Sequence, residues 1–193
     1  MNNPEYVKVN DKKYKINTDF RIALECNKIA QDITINDTER ALAIIYKLFG
    51  KEGLEDIENH NELIRLATKY LGLGKEIEHN DEEPDMDFEQ DMDYIEASFM
   101  SDYGIDLSKE HMHWWKFYNL INGLSNSELG DCCVLNRVRN LRRFDVSTIQ
   151  DAKERQKIID AKKSVELKKS KKENHLSKEQ EESMNQINKI LGI

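Results

Sequence analysis

The chain has 193 residues, of which 38% are hydrophobic and 34% charged, with a formal net charge of −8. That length suits one domain with extensions, and a composition more charged than an average domain supports a core over part of the chain only. The acidic balance makes a phosphate backbone no default partner, and no run approaches the roughly 20 apolar residues of a membrane span.

Two prolines and eight glycines leave long uninterrupted segments, which predicts an all-α fold rather than a turn-rich sheet protein. The start, Met1-Asn2-Asn3-Pro4, has neither the basic nor the apolar region of a signal peptide. The chain is therefore expected in the cytoplasm of the cell that makes it. Cys26, Cys132 and Cys133 are odd in number and include an adjacent pair. That is a poor disulfide framework, and buried free thiols are the plainer reading.

Residues 6–16 alternate weakly through Tyr6, Val7, Val9, Tyr14 and Ile16, with Asn10-Asp11 between. A short hairpin fits, and a disordered arm is the alternative. After Thr18-Asp19, either of which can cap, the period changes. Ile22, Ala23, Cys26, Ile29, Ala30 and Ile33 form one helical stripe. A second helix begins near Asn36-Asp37, carries Ala41, Ile44, Ile45 and Leu48, and should stop at Gly50. A third, from about Asn61, carries Leu63, Leu66, Ala67 and Tyr70 and ends at Gly72 and Gly74.

Composition then shifts. Residues 76–102 hold twelve acidic residues and no Lys or Arg. The part at 75–86 lacks apolar periodicity and reads as an exposed linker. Periodicity returns from Asp87 through Phe88, Met92, Ile95, Phe99 and Tyr103, and Gly104 closes that helix. Ser108 is expected to cap a further helix through Leu124, with Trp114, Phe117, Tyr118 and Ile121 on one face. Another should follow from about Ser127 with Leu129, Cys132, Cys133 and Val138.

Residues 137–172 hold thirteen Lys or Arg against five Asp or Glu. Their thin apolar seam suits a helix that projects or pairs with a partner. Ser177-Lys178-Glu179-Gln180 is a capping-box pattern opening a helix with Met184, Ile187, Ile190 and Leu191 on one face. So short an apolar stripe must dock on its own domain, on a second copy or in a partner's groove. The expected organisation is an N-terminal arm at 1–18, a helical core at 19–144, a charged protruding helix at 145–173 and an amphipathic helix at 174–193.

The sequence selects no catalytic chemistry. There is no G-x-x-x-x-G-K-[ST] phosphate loop and no G-x-S-x-G elbow. His111 and His113, read as i and i+2 on a helix, would point about 200° apart, which argues against one shared metal ion with Cys132-Cys133. No helix N-terminus or paired histidine is evident to activate either thiol. No cofactor, metal or catalytic residue is expected. Trp115 lies at the margin of the Trp114 stripe beside Met112, as core edge or as binding anchor. The basic stretch, with Arg137, Arg139, Arg142 and Arg143 at its head, reads as a solvated or acid-pairing helix face, with nucleic acid the rival. A small enzyme has no motif in its favour.

Within residues 87–124, Tyr94-Ile95-x-Ala97-Ser98-Phe99, Asp102-Tyr103-Gly104-Ile105-Asp106-Leu107, His113-Trp114-Trp115-Lys116-Phe117 and Leu120-Ile121-x-Gly123-Leu124 are distinctive. This block resembles a family of siphophage tail-cluster proteins from Gram-positive hosts, encoded between the tail tube and tape measure genes. The likeness spans about residues 6–167 and is most specific over 102–124; residues from Asn174 lie outside it. It implies a helical, non-enzymatic tail assembly chaperone that binds the tape measure protein and yields to tail tube subunits; the acidic and basic segments on one chain permit the head-to-tail self-association that a coat along a filament needs. Such a protein would work in the host cytoplasm and be missing from the mature virion. The residues expected to meet a partner are Met112, Trp115, Met184, Ile187, Ile190 and Leu191. The rival reading within phage biology is a structural tail component.

Overall fold

Asn10 and Asp11 close a two-residue turn, with Asn10 at φ 52°, a left-handed conformation that asparagine tolerates well. The turn joins β1 (Tyr6–Val9) to β2 (Lys12–Lys15), antiparallel, with Val7 opposite Tyr14 and Val9 opposite Lys12. The hairpin reading therefore holds and the disordered arm does not. The computed structural model describes residues 3–75, 83–126 and 132–168. A two-stranded ribbon is marginal alone in water, and this one is buried on one face through Val9, Tyr14 and Ile16. The Tyr14 hydroxyl donates to Asp56, and Lys12 Nζ reaches the same carboxylate at 3.2 Å.

Three helices follow. Asp19 caps α1 (Phe20–Gln31), its Oδ1 accepting from Arg21 N–H at 2.9 Å. Helix α2 (Asp37–Glu55) opens on a capping box: Asn36 Oδ1 accepts from Glu39 N–H and Glu39 Oε2 accepts from Asn36 N–H, both at 2.9 Å. The stop expected at Gly50 is instead a break inside the helix. Gly50 stands at φ 68°, ψ −159°, and the helix resumes to Glu55. Two residues before the break, the Leu48 carbonyl accepts from Asn17 N–H at 2.7 Å, which ties the end of the hairpin strand to the kink. A 3₁₀ turn (Ile57–Asn59) leads into α3 (His60–Leu71), which packs on α2 as α2 packs on α1.

The second layer contains α4 (Met92–Tyr103), α5 (Trp114–Asn122), α6 (Val134–Arg143) and α7 (Ala152–Ser164). Three of these start later than the hydrophobic period predicts. Asp87 Oδ1 accepts from the N–H groups of Glu89 and Gln90, so residues 87–90 form a turn ahead of α4. Asp106, not Ser108, organises the next turn, accepting from Ser108 N–H at 3.1 Å and Ser108 Oγ at 2.5 Å. The chain then runs extended to His113, the true cap of α5. Cys133 caps α6, and residues 127–131, where the sequence pattern starts that helix, lie outside the described residues.

Phe117 is the hub of the core. It stacks on Phe20 of α1 (centroids 4.3 Å apart), on Phe99 of α4 (5.3 Å) and on Trp114 (5.9 Å). Such aromatic pairs contribute beyond their buried area. The Trp114 indole N–H, which would be costly to bury unpaired, donates to Leu71 O at 3.0 Å. The segment expected to project at 145–173 runs, as far as it is described, back against the domain. Lys162 Nζ donates to Phe144 O at 2.5 Å, Arg142 Nε to Val165 O at 2.6 Å, and Lys168 N–H to Gln90 Oε1 at 2.8 Å.

Candidate functional site

The two layers meet where Asp19 lies opposite His113. Phe20 N–H donates to Met112 O at 2.9 Å and Trp114 N–H to Thr18 O at 2.8 Å, forming an isolated antiparallel bridge. His113 is held at both ring nitrogens. Nδ1 accepts from Trp115 N–H at 3.0 Å, capping α5, so Nε2 carries the proton and donates to Pro4 O at 3.0 Å. Asp19 is a second node. Its carboxylate meets Arg21 Nη1 at 3.1 Å and His111 Nδ1 at 2.9 Å. Burial alone would raise its pKa, but the Arg21 N–H, His111 and the Arg21 guanidinium outweigh that and hold it below the usual carboxylate range. Arg21 also donates to Leu107 O at 2.5 Å and Glu110 O at 3.0 Å, which fixes the extended run leading into α5.

This seam and the kinked α2 enclose an open groove of about 790 Å³. Ile16, Leu48, Phe49 and Met112 lie at its base but are buried, so the surface it offers is polar and apolar in nearly equal measure. Its rim carries Tyr46, 52% exposed, and Ile22. Lys15, Lys47, Lys51 and His111 add a predominantly basic border, against which Asp19 is the one carboxylate in the lining among the described residues. An exposed tyrosine and a charged rim over an apolar base suit an amphipathic segment that brings both apolar and polar side chains. The Asp19–His111 pair stands at its edge, and among the described residues no serine or cysteine lines it.

Of the residues expected to meet a partner, Met112 is 5% exposed and contributes to the groove floor from within the core. Trp115 is half-buried outside the groove. Its ring stacks on Tyr70 with centroids 6.1 Å apart, and its indole N–H donates to Tyr70 O at 2.9 Å. It also covers Gly74, where a Cβ would lie 3.3 Å from Cη2. Trp115 thus seals the end of α3. Met184, Ile187, Ile190 and Leu191 lie outside the described residues.

His111 and His113 precede α5 rather than lying on it, and they serve Asp19 and Pro4 respectively. Contrary to the sequence reading, a helix N-terminus does reach one thiol: the Cys133 sulfur accepts from Asn136 N–H at 3.5 Å. Cys133 is buried, and burial pushes the neighbouring Cys132 thiol up. Among the described residues no group of three or more His, Cys, Asp or Glu side chains could hold a metal ion. No described helix is long and apolar enough to cross a membrane.

The basic cluster heading residues 137–172 is largely committed within the chain. Arg142 makes a two-pronged pair with Asp91, both bonds 2.7 Å, and also donates to Asp85 O at 2.9 Å. Arg139 Nε and Arg143 Nε reach Asp85 Oδ2 at 3.2 and 3.1 Å. The acid-rich and arginine-rich stretches are thus partners inside one domain, as the acid-pairing reading of that helix face anticipates. The groove residues Ile22, Tyr46 and Lys51 escape sequence reasoning. Tyr46 sits off the apolar stripe of α2 and, beside a kink that no local pattern reveals, carries no signal of its own.

A family model described as Bacteriophage Gp15 protein matches residues 1–167. No curated protein and no solved structure matches this chain.

Proposed function

The chain belongs to the bacteriophage Gp15 protein family, and from that premise we propose that it is a non-enzymatic tail assembly chaperone that binds the tape measure protein during tail morphogenesis. The observation that carries this reading is the open groove with an exposed tyrosine and a basic rim, built against the run at 111–113. That run belongs to residues 102–124, where the likeness to tail-cluster proteins is most specific.

A tape measure is a long helical chain, and its amphipathic segments are the kind of ligand such a groove suits. Contacts of this sort are individually modest, so many copies can coat one chain and still be displaced by tail tube subunits. Self-association along the tape measure belongs to the same reading. Arg139, Arg142 and Arg143 are already engaged by Asp85 and Asp91, which favours a protein partner over a phosphate backbone. The protein would act in the host cytoplasm and be absent from finished virions.

The test is an affinity pull-down with the tape measure protein of the same phage genome, alongside mass spectrometry of purified particles. Co-purification in several copies, with the chain missing from virions, is the expected result. Abundant chain in virions without tape measure binding would make it a structural tail component instead.

A further inference from the structure

We infer that the groove at the layer seam is the docking site for residues 177–191 of the same chain. Where the groove also receives the tape measure, which rests on the preceding reading, the tail is a resident competitor that a partner must displace; the docking itself does not depend on that reading.

Four observations support an intramolecular occupant. The sequence pattern of the tail is a capping box at Ser177–Gln180 followed by Met184, Ile187, Ile190 and Leu191 on one helical face. A stripe of that size cannot bury itself within its own helix and requires a surface. Among the described residues, the groove joins a buried apolar floor (Ile16, Leu48, Phe49, Met112) to an exposed aromatic, Tyr46.

Charge is complementary. The sequence at 177–191 carries Glu179, Glu181 and Glu182 against Lys178 and Lys189, and the groove rim carries Lys15, Lys47 and Lys51. Lys47 and Lys51 each have one exposed acidic neighbour, Glu25 and Glu55; exposed pairs of this kind are weak and exchangeable.

The reach is sufficient. The described chain ends at Lys168, held on Gln90 by reciprocal bonds of 2.8 and 3.2 Å. The adjacent Glu89 pairs with Lys28 near the C-terminal end of α1 at 2.7 Å. The groove lies at the other end of α1, beside Asp19 and Ile22, and twelve helical residues span about 18 Å. Residues 169–176 can cover roughly 26 Å when extended.

The test uses the full chain labelled with ¹⁵N and no partner protein. Its amide spectrum is compared with that of the double variant Ile187→Asp/Ile190→Asp, and with Tyr46→Asp on the exposed rim. Docking predicts that the tail variant moves the amides of Thr18, Ile22, Tyr46 and Lys51, and that Tyr46→Asp moves those of residues 184–191. Both changes should persist unaltered on dilution. Groove amides that stay in place, shifts that gather on another face of the domain, or shifts that vanish on dilution, as a second copy would produce, each overturn the proposal. Because no tape measure is present, this result and the pull-down fail independently.

Discussion

Arg142 holds Asp91 with two parallel hydrogen bonds of 2.7 Å, and the two side chains are only 11% and 1% exposed. Asp91 also accepts Asp87 N–H at 3.0 Å, and Arg142 adds the carbonyls of Asp85 and Val165. One ion pair therefore gathers the turn before α4, helix α6 and the chain after α7. Removing one member of such a buried pair leaves the other charge desolvated and unpaired. Asp91→Ala should cost about 3–5 kcal/mol in chemical denaturation. Adding Arg142→Met to it should restore part of that loss, since the orphaned charge is gone, although the two carbonyls lose their donor. A single-variant loss below about 1 kcal/mol would contradict this assignment.

Asp19 adds a pH dependence whose sign is fixed. Its carboxyl is held below the usual range in the folded chain. Its contribution is fully present above the unfolded value near pH 4 and is lost as pH falls through the lower folded value. Asp19→Asn keeps a capping oxygen but has no charge to offer Arg21 and His111. Denaturation midpoints measured between about pH 6 and pH 3 should fall more steeply for the native chain than for this variant. Asp19→Ala, which also loses the cap, should cost about 1 kcal/mol at neutral pH.

Gly50 and Gly53 should both resist alanine, for different reasons. At Gly50 a Cβ would meet nothing within 4 Å, but φ 68°, ψ −159° is a conformation nearly confined to glycine. The cost is in the backbone, about 1–3 kcal/mol. At Gly53 a Cβ would lie 2.6 Å from Phe49 Cβ, a steric clash inside the kink. Thermal unfolding of both variants checks this, and a stabilised Gly53→Ala would mean that the two turns of α2 stand further apart than this clash requires.

Trp115 separates core edge from binding anchor. With its indole on Tyr70 and Gly74, Trp115→Ala should cost roughly 2 kcal/mol of stability, below the range for a fully buried tryptophan. Trp115→Phe should retain much of the stacking but leave Tyr70 O without its donor. Partner affinity measured well below the unfolding transition should change little. A large loss of affinity with stability intact would instead make Trp115 a contact residue.

Much of the architecture could be read from local pattern, because local chemistry decides it. Asn10-Asp11 marks a hairpin turn, Asp19 a helix start and Gly104 a left-handed stop, each within a few residues. Two of the misreadings share a cause: a distant partner outweighed the local signal. Residues 108–113 have helical periodicity, yet the carbonyls of Glu110 and Met112 are taken by Arg21 and Phe20 from the other layer. Gly50 reads as a helix end, yet α2 resumes to Glu55 beyond a break at which the distant Asn17 N–H takes the Leu48 carbonyl. The groove is less legible still. Its walls come from residues 15–22, 46–51 and 111–113, and no periodicity links three such segments.

The measurement that tests the central claim most directly is co-expression of the tape measure protein with the native chain and with Tyr46→Asp. Tyr46 is exposed, so its replacement should change stability by no more than about 0.5 kcal/mol. The account predicts that the native chain carries the tape measure into the soluble fraction, with several copies bound to each, and that Tyr46→Asp largely abolishes this. A tape measure equally insoluble with and without the native chain would contradict it.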